Sequence, residues 1–591
     1  MVNSLKTSLM RRWSPYDLCL VAILAGAAIP RTLRLTGSLW YDETFASRLK
    51  LTFSLPGLAW IFYDTHPPLY NFLMLLWNHV FGDSELSLRS LPFLCSLAAI
   101  VVTAGIARDI AGKRVALVAA LMMALSGASV YYAQEARSYS FIILLFVLMA
   151  KYLLRYARTA DPKDLRRFVF FSSLCSISHI YSMIFVLCLT ATLTWRVAQR
   201  QNIIAIMRLA LLQVVLAVPF YFSILLIRFF TSEQVYPPGT ERFSWAQTMG
   251  LLPFCLFGYS LFKLYWLAAL LALGLFISGL GIVLRRVRQE AAQSEGHGPL
   301  RHTFTFPGVN RLFIGVATVG IVAFGGIALL PCVARPDLFS NLFRSPDHHL
   351  LMGQMVSLLG RTSILYLVGY GCALLVWLLL GTRAVSTGLM SHLTERSALH
   401  ADLARWADTV VLFPVLGLVS VAVISHLSRA YDTRYVLPLL PFLLLPLAVA
   451  LATISVTRIR FVAVAAVVLA QAYALTQQGP VYDDRKPDYR AAVRYLYDTG
   501  ESHYPVAATA SWEALNVGRY YSRRFGQPEL QLVPVAAVPT LSKVSVLVSQ
   551  EFPITEDRFS DLRQALVNNS EVKVVHFPGV SLYVLDRHSS R

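Results

Sequence analysis

The chain has 591 residues, of which 56% are hydrophobic and 14% charged, and its formal net charge is +19. A charged fraction well under about one quarter, with a mean hydropathy of +0.57, excludes an ordinary soluble multidomain enzyme. Aromatic residues, at 12%, provide more apolar surface than a disordered chain would carry. The charge is unevenly placed. Residues 481–591 hold 13 Lys or Arg against 13 Asp or Glu, while the preceding 480 hold 39 against 20. The excess therefore lies in the most apolar part of the chain, which excludes a nucleic-acid footprint as its cause.

Apolar stretches long enough to cross about 30 Å of hydrocarbon recur through that part. They are read at 15–33, 90–107, 115–133, 139–157, 168–178, 180–195, 209–227, 264–284, 312–332, 362–380, 409–427, 435–455 and 461–478. The fifth and sixth are the weakest, because 168–195 also reads as one kinked helix. Lys and Arg are concentrated in alternate connecting segments, and the positive-inside rule then places the N-terminus in the cytoplasm. Thirteen crossings put everything after Gln478 outside. Seven scattered cysteines with no CxxC pair read as small core hydrophobes.

In chain order, the first outer segment, 34–89, opens with Leu39-Trp40-Tyr41-Asp42-Glu43. Trp40 and Tyr41 suit an interfacial aromatic belt, and the adjacent carboxylates suit a general base or a metal ligand at the outer face. Asp64-Thr65-His66-Pro67-Pro68-Leu69-Tyr70 follows, with two prolines setting the start of a juxtamembrane helix. The third span ends in Tyr131-Tyr132-Ala133-Gln134-Glu135-Ala136-Arg137-Ser138-Tyr139, a turn of few residues before the fourth. Here Arg137 suits a phosphate, and Glu135 a metal or a sugar hydroxyl. Late in the chain, Arg434 and Tyr435 stand at another outer helix start, where an anionic headgroup is favoured. The tail reads as a small α/β domain: a helix at 487–499, β-branched runs at 543–549 and 571–576, and an amphipathic 557–568 between them.

No acid lies deep within a predicted span, whereas a transporter with an ion relay would place some at mid-bilayer. A transporter or flippase for lipid-linked sugars or polysaccharide is the alternative, kept for a neutral cargo. Carboxylates, a histidine, tyrosines and arginines gathered at one membrane face instead suit an enzyme acting on an amphiphilic phosphate.

These motifs (Trp-Tyr-Asp-Glu, His-Pro-Pro-Leu-Tyr, Arg89-Ser90-Leu91-Pro92, Gln-Glu-Ala-Arg-Ser-Tyr and Arg-Tyr-x-x-Pro) resemble those of the C-type (GT-C) membrane glycosyltransferases. The branch resembled holds protein O-mannosyltransferases and the lipid A aminoarabinose transferase. The resemblance implies a polytopic α-helical membrane protein of about 13 transmembrane helices, with a transmembrane domain over 1–480 and a small extracytoplasmic α/β domain over 481–591. It implies inverting transfer of a hexose or pentose from a polyprenyl-phosphate donor to a lipid, glycan or protein acceptor outside the cytoplasm. By the same resemblance Asp42, Glu43 and Glu135 are the catalytic acids, and several members carry Asp where this chain has Glu135. Arg137, Tyr139, Arg434 and Tyr435 would meet the donor phosphate and lipid, and Trp40, Tyr41, His66, Tyr70 and Arg89 would line the site. A divalent cation (Mg, Mn or Zn) would be held by Asp42, Glu135 and His66. Thr231–Met249 would form an outer loop over the site. The expected partners are the lipid-linked sugar donor, the acceptor and the bilayer, without nucleic acid, and the expected location is the bacterial inner membrane.

Overall fold

The computed structural model describes residues 13–48, 69–159, 161–197, 251–258, 433–477, 486–509, 511–549, 559–567 and 572–586, together with Pro67, Gly417, Ser420 and Val421. His66 and the predicted spans at 209–227, 264–284, 312–332 and 362–380 lie outside the described residues. So does the loop Thr231–Met249, and so does nearly all of 409–427.

Helix α1 (Pro15–Thr32) starts at a capping box, in which Ser14 and Asp17 each bond the other's main-chain amide and Pro15 takes the first turn. Its 18 residues span about 27 Å. Among the described residues of 34–89, read above as the first outer segment, stand two short helices, α2 (Tyr41–Arg48) and α3 (Leu69–Phe81). Asn78 of α3 donates to the Ala46 carbonyl at 2.7 Å and so fixes the C-terminal turn of α2.

The predicted second span is part of a longer helix, α4 (Glu85–Ala111), capped by Ser84. It turns at Gly112 (φ +90°), a backbone conformation that L side chains rarely adopt. What was read as one third span is bent: α5 (Lys113–Leu125) and α6 (Gly127–Ala133) meet at 57°. A bend of that size frees carbonyls that lipid cannot satisfy. Arg31, fully buried, supplies the donors. Its guanidinium bonds the carbonyls of Ala124 (2.6 Å) and Met123 (3.1 Å), together with Ala27 O, Ser96 Oγ and Ser129 Oγ. Arg31→Met is therefore expected to cost about 2–4 kcal/mol, because several carbonyls lose their donors together. Thermal unfolding of detergent-solubilised protein checks this, and Arg31→Lys, which has three donors and no planar fork, should recover little.

Helix α7 (Tyr139–Thr159) carries the chain about 30 Å to the opposite end. There Asp164 pairs with both Arg155 (3.2 Å) and Arg167 (2.9 Å). The ambiguous 168–195 stretch is two helices, α8 (Pro162–Ser176) and α9 (Ile180–Val197), broken at Ile177–His179. α10 (Leu251–Phe257) packs beside α6. A 3-10 turn over Thr433–Leu439 leads into α11 (Leu440–Ala452), buried along its whole length, and α12 (Thr457–Thr476) follows. Among the described residues three helices are long and apolar enough to span a membrane, or four with the bent pair.

The C-terminal segment contains α13 (Tyr489–Asp498), β1 (Val506–Ala508), α14 (Ser511–Arg524), β2 (Lys543–Ser549), α15 (Ser560–Val567), β3 (Val572–Phe577) and β4 (Val580–Asp586). The sheet order is β1-β2-β4-β3, with β1 parallel to β2 and the other pairs antiparallel. This layer does not hang free of the helices. Leu39, Tyr70, Met74, Leu88 and Leu91 share one apolar cluster with Tyr489, Val493, Val517, Tyr521 and Leu582. Polar bonds register the two parts: Tyr521 Oη accepts from Leu39 N at 2.7 Å, and Tyr520 Oη donates to Asp83 O at 3.0 Å. Arg490 reaches Thr36 O at 2.9 Å and Glu85 at 3.5 Å.

Candidate active site

The C-terminal ends of α1 and α6 and the N-terminal ends of α4 and α7 meet around the turn 134–138, with α2 beside them. The centre of this junction is Glu43. It is fully buried and accepts two bonds from Arg89, Nε to Oε1 at 2.8 Å and Nη2 to Oε2 at 2.6 Å. It also accepts from Ala136 N at 2.9 Å. Arg89 in turn donates to the carbonyls of Arg34, Leu35, Gly37 and Ser38. One ion pair thus ties the first outer segment, α4 and the turn after α6 to each other. Burial alone would raise the Glu43 carboxyl, but Arg89, Lys486 and the Ala136 amide outweigh it and hold the group below its ordinary range.

That network orients two further carboxylates. Asp42, one residue earlier on α2, stays partly exposed. Its Oδ2 lies 3.3 Å from Arg434 Nη1, and its main-chain carbonyl accepts from Arg137 at 3.3 Å. Glu135 is buried beneath the turn that Glu43 pins. Its Oε2 is 3.5 Å from Lys486 Nζ, and its Oε1 has no hydrogen-bond partner. Burial raises the Glu135 carboxyl above its ordinary range, with Glu43 and Asp42 adding to the rise and Lys486 and Arg434 opposing it. Trp40 Nε1 and Tyr70 Oη are further buried polar atoms without a hydrogen-bond partner. Burial pushes the Tyr70 phenol well up, so it stays an O–H donor, and its electrostatic neighbours include Arg137, Glu43 and Glu135.

Aromatic rings continue the site inward. Tyr132 meets Tyr139 edge to face at 4.8 Å, and Tyr435 stacks on Tyr181 at 4.4 Å. His179 packs against Tyr139, Tyr181 and Tyr435 at the break between α8 and α9. These rings form a buried aromatic layer beside the carboxylates and cations of the junction.

The structure brings together Trp40, Asp42, Glu43, Tyr70, Arg89, Glu135, Arg137, Tyr139, Arg434 and Tyr435. His66 and the side chain of Tyr41 lie outside the described residues. Sequence reasoning missed Lys486 and His179. Lys486 was one base among 13 in a neutral tail, and nothing in its spacing points to residue 135. His179 lay in the ambiguous join of two spans, and the break itself was its signal.

Asp42 and Glu135 do not compose a dication site by themselves. Each faces a fixed cation, and no cluster of three His, Cys, Asp or Glu side chains forms among the described residues. Arg137, Arg434 and Lys486 supply positive charge at this junction.

Residues 65–226 match the family model of dolichyl-phosphate-mannose-protein mannosyltransferases. The match contains Tyr70, Arg89, Glu135, Arg137 and Tyr139, and it bears out the resemblance read from the motifs. No curated protein sequence matches the chain. Among solved structures, ArnT from Cupriavidus metallidurans in the apo state aligns at 11% identity with a TM-score of 0.38, covering 95% of this chain and 97% of that one. The same protein bound to undecaprenyl phosphate gives 11%, 0.37, 96% and 97%. The Archaeoglobus fulgidus oligosaccharyltransferase complexed with Zn and sulfate gives 13%, 0.39, 97% and 73%. Scores of this size carry no residue correspondence.

Proposed function

We propose that this chain is an inverting glycosyltransferase that moves a sugar from a polyprenyl-phosphate donor to an acceptor at the extracytoplasmic membrane face. The observation that carries the reading is the convergence of two carboxylates and three cations at the outer helix ends, beside buried aromatic rings. The family match over 65–226 supports it. A lipid chain would lie among the rings. Its phosphate would meet Arg137 and Arg434, and the sugar would project toward Asp42 and Glu135.

The chemistry needs little beyond these groups. A sugar phosphodiester departs as a phosphate monoester, a good leaving group, so protonation of the leaving oxygen is less demanding than in glycoside cleavage. Arginines aimed at the departing oxygens stabilise the charge that develops there. An alcohol acceptor would give its proton to Asp42 as it attacks the anomeric carbon from the opposite face. Glu43, with both oxygens committed to Arg89 and Ala136, is in this reading a positioning residue and not a proton carrier. Arg89 has the same role.

The same reading assigns thirteen crossings with a cytoplasmic N-terminus, a transmembrane domain over 1–480 and an outer α/β domain over 481–591. It places the protein in a bacterial inner membrane, with a hexose or pentose as the transferred group. The test is purified protein in detergent with a panel of radiolabelled polyprenyl-phosphate sugars. Consumption of one donor without a sealed vesicle supports the enzyme. Movement that requires sealed vesicles, with no donor consumed, supports a flippase and overturns it. Glu135→Gln and Arg137→Ala are each expected to lower turnover at least about tenfold, since each removes a charged contact to the reacting groups.

A further inference from the structure

We propose that Lys486, delivered by the C-terminal segment, is a phosphate ligand of this site and exchanges Glu135 for the lipid-linked phosphate when the donor binds. The inference rests on the reading of the chain as a polyprenyl-phosphate sugar transferase and assigns to that site a residue from outside the membrane helices.

Position comes first. The Lys486 side chain is 2% exposed, as is that of Glu135, so the pair is sealed from solvent. Its ammonium lies 3.5 Å from Glu135 Oε2, 3.5 Å from Gln134 O and 4.7 Å over the Tyr131 ring. A tight charge-assisted bond closes to about 2.7–2.9 Å. The pair is in register but not closed. The other Glu135 oxygen has no partner, and neither does the Tyr70 hydroxyl or the Trp40 indole N–H. An unsatisfied acceptor and unsatisfied donors buried around this junction are what a polar ligand with both oxygens and hydroxyls would complete.

Charge accounting points the same way. Arg89 is committed to Glu43 and to four carbonyls of the first outer segment, and Arg434 faces Asp42. Lys486 faces Glu135, a carboxylate whose burial opposes its ionisation. An arriving phosphate gives that ammonium a stronger anionic partner, while a protonated Glu135 can donate to the ligand. Arginine forks suit a phosphate as bidentate clamps, and a lysine adds a compact point charge with three donors.

The main chain around Lys486 explains how a distant residue arrives here. Asp488 N donates to Pro578 O at 2.8 Å in the β3–β4 turn, and Asp488 caps α13. Arg490 N donates to Ser38 Oγ at 3.1 Å, and the Arg490 guanidinium holds Thr36 O. Docking of the outer layer on the first outer segment therefore sets the ammonium, and the phosphate site is complete only with that layer in place.

The test uses full-length protein in lipid nanodiscs, with undecaprenyl phosphate, undecaprenol and inorganic phosphate as probes. Wild-type protein should prefer undecaprenyl phosphate over undecaprenol, and inorganic phosphate should compete weakly. Lys486→Met should weaken undecaprenyl phosphate about tenfold or more and leave undecaprenol unchanged. Lys486→Arg should restore part of the loss. Glu135→Gln, which releases Lys486 from its carboxylate, should bind the phosphate as well as wild type or better. Undiminished phosphate binding by Lys486→Met overturns the inference and leaves the transferase reading standing. So does an equal loss in Lys486→Met and Glu135→Gln, which would mark a purely structural ion pair. Equal binding of lipid phosphate and lipid alcohol by wild type would bring down the transferase reading itself, and this inference with it.

Discussion

Asp42→Asn is expected to lower sugar transfer by about 10²–10⁴-fold while leaving expression and lipid-phosphate binding near wild type. The substitution is isosteric and removes one negative charge. Asp42 is partly exposed, so the fold does not depend on its ionisation, and its bond to Arg434 at 3.3 Å is long. What is lost, in the proposed mechanism, is the base that takes the acceptor proton. Turnover is measured with the donor that the panel identifies, and binding with undecaprenyl phosphate in nanodiscs. Near-normal turnover would remove Asp42 from the chemistry. The size of the loss also reports on the acceptor. An alcohol must be deprotonated as it attacks and shows the full effect, whereas a phosphate acceptor is already ionised and needs only positioning. A loss of merely about tenfold would therefore point to a phosphate acceptor.

The outer site was legible in the sequence to the extent that each residue sat beside a recognisable helix end. Asp42 and Glu43 follow the first apolar run, Glu135 and Arg137 sit in a turn too short to go elsewhere, and Arg434 precedes a run that starts with Pro438. Hydropathy alone brings such residues to one plane. Partnership is a different matter. Glu43 and Arg89 were both singled out, yet nothing in a spacing of 46 residues says that they pair and cancel each other. Glu135 and Arg137 stand two residues apart in the turn 134–138, yet the structure sends Glu135 to Lys486 and Arg137 to the Asp42 carbonyl. The bend between α5 and α6 was hidden because its disrupted backbone is satisfied by Arg31, 92 and 93 residues away. In the tail the runs read at 543–549 and 571–576 coincide with β2 and, within one residue, with β3, because β-branched alternation is a local signal, while β1 and β4 went unread. The docking that brings Lys486 inward rests on long-range contacts that leave no local mark.

The Glu43–Arg89 pair gives the second large effect, and it separates positioning from catalysis. Both side chains are fully buried, and the two charges face each other at 2.6 Å. Removing one charge leaves its partner uncompensated in a dry site, at a cost of about 3–5 kcal/mol. Arg89→Met should be the worse of the two, because the carbonyls of residues 34, 35, 37 and 38 lose their donor as well. Glu43→Gln should follow, and the double variant should cost less than the sum of the singles, since no charge is then stranded. Thermal unfolding of full-length detergent-solubilised protein reads all three. The pH dependence carries the matching sign. The Glu43 carboxyl is held below its ordinary value of 4.5, so its contribution is fully present above that value and is lost as pH falls through the lower folded one. Glu135 is held above 4.5, so its charged form opposes folding, and the stability it lends when protonated is lost as pH rises through its folded value. Glu43→Gln should therefore flatten the loss of stability on the acid side, and Glu135→Gln should flatten the opposite slope. A Glu43→Gln variant with a wild-type unfolding midpoint and no turnover would reverse the assignment and make Glu43 a catalytic acid.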